Sequence, residues 1–222
     1  MLGYGVYQTP PEDTERCVLD AISIGYRSID TAQAYGNEEG VGNAIEKCGL
    51  PHEELFITTK VWISNAGYEK AKAIGVSNFY PDRYLDLAHF AEVTPAVNQV
   101  ETHLFCQQKT AKEYMKKNGT QIMSWGPFAE GKNDYFNTPA LKEIGEKHGK
   151  TTAQVALRFL LQSGVVLIPK SVHKNRMQEN FDIFDFTLNE EEMKQLEALD
   201  GGKSLFFSHY DPQTVEWFMS FI

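Results

Sequence analysis

Cysteine is scarce and unpaired in this sequence. Cys17, Cys48 and Cys106 are odd in number, widely spaced and never form a Cys-x-x-Cys, so neither a disulfide framework nor a zinc site is supported. Inert thiols in a reducing compartment are the plain alternative. Positive charge is also in short supply: 21 Lys and Arg face 30 Asp and Glu, a formal charge of -9. General affinity for nucleic acid or an anionic membrane is not expected, and each basic residue has to be judged by its position. Long apolar runs are missing too. The most apolar window, Phe159 to Pro169, is interrupted by Gln162 and Ser163, and the opening MLGYGVYQTP has neither a basic region nor an apolar core. Neither a membrane span nor a secretory leader is expected, which points to the cytoplasm. No metal-spaced His pair and no Gly-x-Ser-x-Gly elbow occurs. The pattern Gly40-Val41-Gly42-Asn43-Ala44-Ile45 is no dinucleotide fingerprint, because it lies inside a helix and lacks the third small residue.

What is present is an ordinary globular composition, 42% apolar and 23% charged over 222 residues. Short apolar runs alternate with longer amphipathic segments, the signature of parallel α/β folds. Strands are expected near Tyr4 to Tyr7, Arg27 to Thr31, Leu55 to Lys60, Ala73 to Ser77, Ala96 to Glu101, Gln121 to Trp125 and Val165 to Pro169. Helices are expected from Pro10-Pro11 to Gly25, after a cap at Asn37, from Pro81, over Thr110 to Lys117, from Thr138-Pro139, from Thr151 with Gln154 at capping-box spacing, near Asn175 to Asn180, and after Asn189. Seven strands suit an eight-stranded (β/α) barrel that is one strand short. The shortest interval runs from Leu55 to Ala73. Within GYEKAKAIGVSNFYP, a helix start at Gly67 to Lys72 meets a strand at Ala73 with no turn between them.

In such barrels the chemistry lies where the strands end, so the polar residues there are the ones to read. They are Asp30 and Thr31, Thr59 and Lys60, Ser77 and Asn78, Asn98 and Gln99, and Lys170 and Ser171. An Asp and a Lys on neighbouring strands form either a structural ion pair or part of a site. Tyr35, five residues beyond Asp30, adds a phenol. A Lys beside it favours phenolate and lowers its pKa, while Asp30 holds the Lys in place, and the trio makes a general acid for a carbonyl oxygen.

The runs SIDTAQAYGNEEGVG, ELFITTKVW, AIGVSNF, PAVNQVE and VVLIPKSVHKNRMQEN resemble the aldo-keto reductases, NAD(P)H-dependent barrel enzymes that reduce aldehydes and ketones. Five blocks in the family's order span nearly the whole chain. The resemblance implies a single barrel domain over residues 1–222, with a tail at 203–222 over the pocket. It places the catalytic Asp, Tyr and Lys on Asp30, Tyr35 and Lys60. It puts Ser77, Asn78 and Gln99 on the nicotinamide carboxamide and Trp125 against the ring. Lys170, Ser171, Val172 and Arg176 match the adenosine 2′-phosphate site, and Glu179 and Asn180 the adenine, so NADPH is expected over NADH. Tyr7 and Trp62 match substrate-pocket positions, where core packing is the alternative for each. The tail, with Leu205, Phe206, Phe207, Tyr210 and Trp217, either closes over substrate or fastens the chain end. A small carbonyl substrate is implied, no metal, and a monomer or weak oligomer.

The chain departs from that pattern between Lys72 and Ala73. The family's fourth strand, its terminal His and the flanking helices have no counterpart, roughly 45 residues at about 30 per (β/α) unit. The N-terminal hairpin is missing as well. His103, just past Glu101, is the nearest histidine to a strand end. Two further readings stand beside the reductase: a non-catalytic NADPH-binding or partner-binding relative, and a Schiff-base lyase using Lys60.

Overall fold

The computed structural model describes residues 1–61 and 75–220. Among these residues, parallel strands and helices follow in the order β1 (Tyr4–Gly5), α1 (Pro11–Ile24), β2 (Ser28–Asp30), α2 (Glu38–Lys47), β3 (Phe56–Thr58), β4 (Gly75–Ser77), α3 (Pro81–Phe90), β5 (Val97–Glu101), α4 (Lys109–Lys117), β6 (Gln121–Trp125), α5 (Pro139–His148), α6 (Thr152–Gln162), β7 (Val166–Leu167), α7 (Lys174–Phe181), α8 (Glu190–Glu197) and α9 (Pro212–Met219). Each expected strand overlaps an observed one, and Ala73 and Ile74 of the fourth lie outside the described residues. The Lys72 to Ala73 junction lies outside the described residues.

The ladders run β1-β2-β3 and β4-β5-β6-β7. A parallel bridge between Leu2 and Leu167 joins them, reinforced by Gly3 N–H to the Leu167 carbonyl at 2.7 Å and Leu167 N–H to the Met1 carbonyl at 3.1 Å. The order around the sheet is therefore β3-β2-β1-β7-β6-β5-β4. Gly5 is needed at this join, because a Cβ there would stand 2.8 Å from the Ile168 carbonyl oxygen. Between β3 and β4 no ladder is formed among the described residues.

The sheet curls strongly. β2 and β5 are four strands apart, about 19 Å in a flat sheet at about 4.8 Å per strand. Yet Nε2 of Gln99 on β5 lies 2.8 Å from Oδ2 of Asp30 on β2. Only a sheet rolled towards closure brings those side chains together. Strand alternation sorts the rest. Ile29, Val100, Ile122 and Leu167 join the large core between sheet and helices, whereas Met123, Val166 and Ile168, with Val97 against them, form a separate cluster on the inner face.

The helices follow their sequence signals. In α1 the buried residues Thr14, Cys17, Val18, Ala21 and Ile22 make one face, and Gly25 at φ 126° ends it with its N–H on the Ala21 and Ile22 carbonyls. Thr151 and Asn189 form complete capping boxes with Gln154 and Glu192. Asn37 is a correction. Its side chain gives α2 no cap hydrogen bond and turns inward, donating to the Val6 and Thr9 carbonyls and accepting from Thr31. Burial decides this, since an inward amide pairs with the buried Thr31 hydroxyl and with two loop carbonyls after β1, of which that of Val6 also accepts from Thr9 N–H. Gly40 lies where α2 crosses α1, with the place of its missing Cβ only 2.8 Å from Cβ of Thr14. Its glycine serves helix packing. No helix among the described residues is long and apolar enough to cross a membrane.

Candidate active site and cofactor cleft

Lys60 follows β3, and its ammonium group stands 2.7 Å from Oδ1 of Asp30 at the end of the neighbouring β2. It donates to the Thr31 carbonyl at 2.8 Å and reaches the Tyr35 hydroxyl at 3.4 Å. Asp30 is buried, and its second oxygen accepts from Gln99. Burial pushes the Asp30 carboxyl above the ordinary value, against the charge of Lys60 and the hydrogen bonds from Lys60 and Gln99. Tyr35 sits in the short 3-10 turn Gln33–Tyr35. Its phenol is pushed well above the ordinary range by burial first, then by Asp30 and Tyr7. The expected lowering by Lys60 is thereby corrected. The ammonium sits closest to Asp30 and Thr31, so desolvation and the carboxylate prevail at the phenol. Tyr35 keeps its proton, the state a proton donor requires.

Tyr7 lies beside this group, its ring 5.0 Å from that of Tyr35, and is 51% exposed. It is exposed and does not pack in the core. Trp62 lies outside the described residues. His103 is taken up elsewhere. Its Nδ1 accepts from Phe105 N–H at 3.2 Å, which leaves the proton on Nε2 to bond Glu101 at 2.8 Å. With both ring nitrogens engaged, it is not free to orient a carbonyl.

The ends of β4, β5 and β6 supply a second group. The Ser77 hydroxyl donates to the Gln99 carbonyl at 3.0 Å. Asn78 adopts φ 57°, a left-handed conformation that Asn tolerates, and its Oδ1 accepts from the Trp125 indole at 2.7 Å. Trp125 is stacked on Phe207 at 5.8 Å and 21° and met edge-on by Phe206 at 5.2 Å. Of the two readings of the tail, its contacts bear on the fastening of the chain end. Leu205 packs on the core, Phe206 and Phe207 cover Trp125, and His209 and Tyr210 bond Tyr80 and Asp82 at the start of α3.

A cleft of 460 Å³ opens past the end of β7. Lys170, Ser171, Val172, Arg176, Glu179 and Asn180 all line it, so six residues singled out in the sequence are brought to one place. Among the described residues, Lys170 donates only to the Gln8 carbonyl and Arg176 forms no ion pair. Arg176 lies in the first turn of α7, where the helix dipole disfavours a cation, while the free backbone N–H groups there favour an anion. A phosphate group suits this donor set. The sequence reading did not single out the other lining residues, Phe128, Phe136, Thr151, Thr152, Ala153 and His173. The capping-box spacing of Thr151 and Gln154, which marks a helix start, was the signal within reach.

Comparison with known proteins follows the same outline. The model of the aldo/keto reductase family matches residues 1–71 and 69–201, two segments that meet next to the Lys72 to Ala73 junction. Glyoxal reductase of Bacillus subtilis (strain 168) is 39% identical over 244 residues, covering 89% of this chain and 88% of its own length. Since 89% of 222 residues is about 198, about 46 positions of that alignment have no counterpart here. The crystal structure of MGS-M4, an aldo-keto reductase from a Medee basin deep-sea metagenome library, superposes with a TM-score of 0.88 at 33% identity over 95% of this chain and 94% of its own. A variant of Gox0644 in complex with NADPH does so with a TM-score of 0.82 at 31% identity, over 91% of each chain.

Proposed function

The chain belongs to the aldo/keto reductase family, and on that premise we propose that it reduces the carbonyl group of a small aldehyde or ketone with NADPH. The observation that carries the reading is the position of the Lys60 ammonium between Asp30 at 2.7 Å and the Tyr35 hydroxyl at 3.4 Å. When bound, NADPH supplies the hydride. Tyr35 gives its proton to the carbonyl oxygen as charge develops there and takes it back in the reverse direction. Lys60 faces the phenolate left behind, and Asp30 keeps Lys60 charged and in place. The cost of forming a buried phenolate is thus met by a cation already waiting beside it.

Ser77, Asn78 and Gln99 are assigned to the carboxamide and Trp125 to the ring. Lys170, Ser171 and Arg176 are assigned to the 2′-phosphate, with Val172, Glu179 and Asn180 towards the adenine. The support is the cleft, which gathers the last six residues around two cations that have no acidic partner among the described residues. Tyr7 is assigned to the substrate mouth. The likeness to glyoxal reductase makes small α-oxoaldehydes the first substrates to test.

A second reading has its own support. The unpaired borders of β3 and β4 among the described residues, with the two-segment family match, favour a relative that binds NADPH without turnover. The Schiff-base reading loses ground, because a Lys60 ion-paired to Asp30 offers no lone pair. The deciding experiment is NADPH oxidation that depends on added glyoxal or methylglyoxal and is lost in Tyr35→Phe. Binding without oxidation sinks the reductase and leaves the second reading.

A further inference from the structure

Glu101, at the end of β5, is a buried carboxylate that the proton relay does not use. It shares the inner strand face with Gln99 and has no Lys or Arg partner among the described residues. Three donors hold it instead. Oε1 accepts from His103 Nε2 and from Leu205 N–H, both at 2.8 Å, and Oε2 accepts from the Ser204 hydroxyl. Burial alone would raise its pKa, but these hydrogen bonds outweigh burial and hold the carboxyl below the usual range. The direction of the Ser204 bond is fixed by its surroundings. Ser204 Oγ already accepts from the Phe206 and Phe207 N–H groups, each at 3.0 Å, so its single proton goes to Glu101. The next two side chains, Phe206 and Phe207, are the ones that meet Trp125, and Trp125 is bonded to Asn78.

We propose that Glu101 is a positioning residue for the nicotinamide end of the site, seating residues 204–207 so that Phe206 and Phe207 fix the indole of Trp125 from one side while Asn78 holds it from the other. The proposal rests on the cofactor assignment above. It goes further in making a carboxylate on β5, acting through the C-terminal segment, the determinant of how the ring end of the cofactor is received. A glutamine cannot replace it. Its amide group would present a donor to a Ser204 oxygen whose acceptor capacity is filled, or leave one of three donors without an acceptor.

The test compares two ligands and two substitutions in the full chain. Glu101→Gln is expected to weaken NADPH binding about tenfold, the loss of one well-placed hydrogen-bonded contact at about 1.4 kcal/mol per factor of ten. It should leave unchanged the binding of 2′-phospho-ADP-ribose, which carries the phosphates and adenosine but no nicotinamide. Ser204→Ala should behave like Glu101→Gln, and Ser204→Thr, which keeps the hydroxyl, like the parent. Equal weakening of both ligands, or of neither, overturns the proposal. Amide hydrogen exchange without ligand reads the anchor alone. The Leu205, Phe206 and Phe207 amides should exchange faster in Glu101→Gln and Ser204→Ala, and unchanged exchange also overturns it. If the parent binds neither ligand, the cofactor assignment has failed, and the exchange arm still reports on the anchor separately.

Discussion

Gln99 donates its side-chain amide to Asp30 across 2.8 Å, although the two residues stand on strands four places apart in the sheet order. This bond joins the two ladders inside the fold, and it also sets the second oxygen of the carboxylate that holds Lys60. Replacing Gln99 by Leu leaves that buried oxygen unpaired. A loss of about 1–3 kcal/mol in unfolding free energy is expected, read from the urea midpoint. An unchanged midpoint would show that the bond carries no weight.

Tyr35→Phe is expected to lower carbonyl-dependent NADPH oxidation by about 10²–10⁴-fold while NADPH binding stays intact. The same variant reports on the phenol. Because burial raises the Tyr35 pKa, the phenolate absorbance missing from Tyr35→Phe, relative to the parent without ligand, should appear only above the ordinary value of 10.0. A difference titrating below it contradicts the buried, protonated hydroxyl.

Arg176→Ala removes the cation in the first turn of α7. A charge-assisted bond to phosphate is worth about 1.5–3 kcal/mol, so NADPH should bind about ten to a hundred times more weakly and NADH nearly as before. Equal effects on the two cofactors would remove the phosphate assignment.

Gly40 and Gly42 lie on one helix, yet alanine should have opposite effects at the two sites. At Gly40 the new methyl would meet Cβ of Thr14 at 2.8 Å, and a net loss of about 1–3 kcal/mol is expected from overpacking. At Gly42 nothing lies within 4 Å, and the helix gains up to about 1 kcal/mol from propensity. Thermal unfolding of the pair decides it, and melting shifts of the same sign would contradict the close helix crossing.

The Glu101 carboxyl titrates below its ordinary value of 4.5 in the folded chain. A depressed acid stabilises the fold above its unfolded pKa, and that contribution fades as the pH falls through the folded value. The stability difference between parent and Glu101→Gln should therefore be full at neutral pH and shrink only in acid below about 4.5. A difference that stays constant into strong acid would mean that charge on Glu101 plays no part.

The strand pattern and the strand-end residues were readable because short apolar runs between amphipathic segments, and the position of chemistry at strand ends, are both written locally. Asp30, Lys60 and Tyr35 were found this way, and the cleft residues came from the block around Lys170. Three things were not readable. The inward turn of Asn37 depends on Val6 and Thr9 carbonyls that only the fold brings near. The pKa of Tyr35 is set by burial, which the Lys60 spacing does not encode. Glu101 escaped because its partners, Ser204 and Leu205, are a hundred residues away in the chain, although it ends a strand like the residues that were singled out.

The bridge between Leu2 and Leu167 has a bearing on how the molecule assembles. It pairs residues from nearly opposite ends of the chain, the kind of contact whose loop-closure entropy makes it late in folding. During synthesis the β1-β2-β3 ladder is complete long before β7 leaves the ribosome, so the two halves are expected to form as separate units and to be joined last. The Asp30–Gln99 bond spans those same halves. On this pathway Lys60 and Tyr35 acquire their full setting only at the final joining, and pulse-labelled exchange should find the Leu167 amide protected after those of β2 and β3.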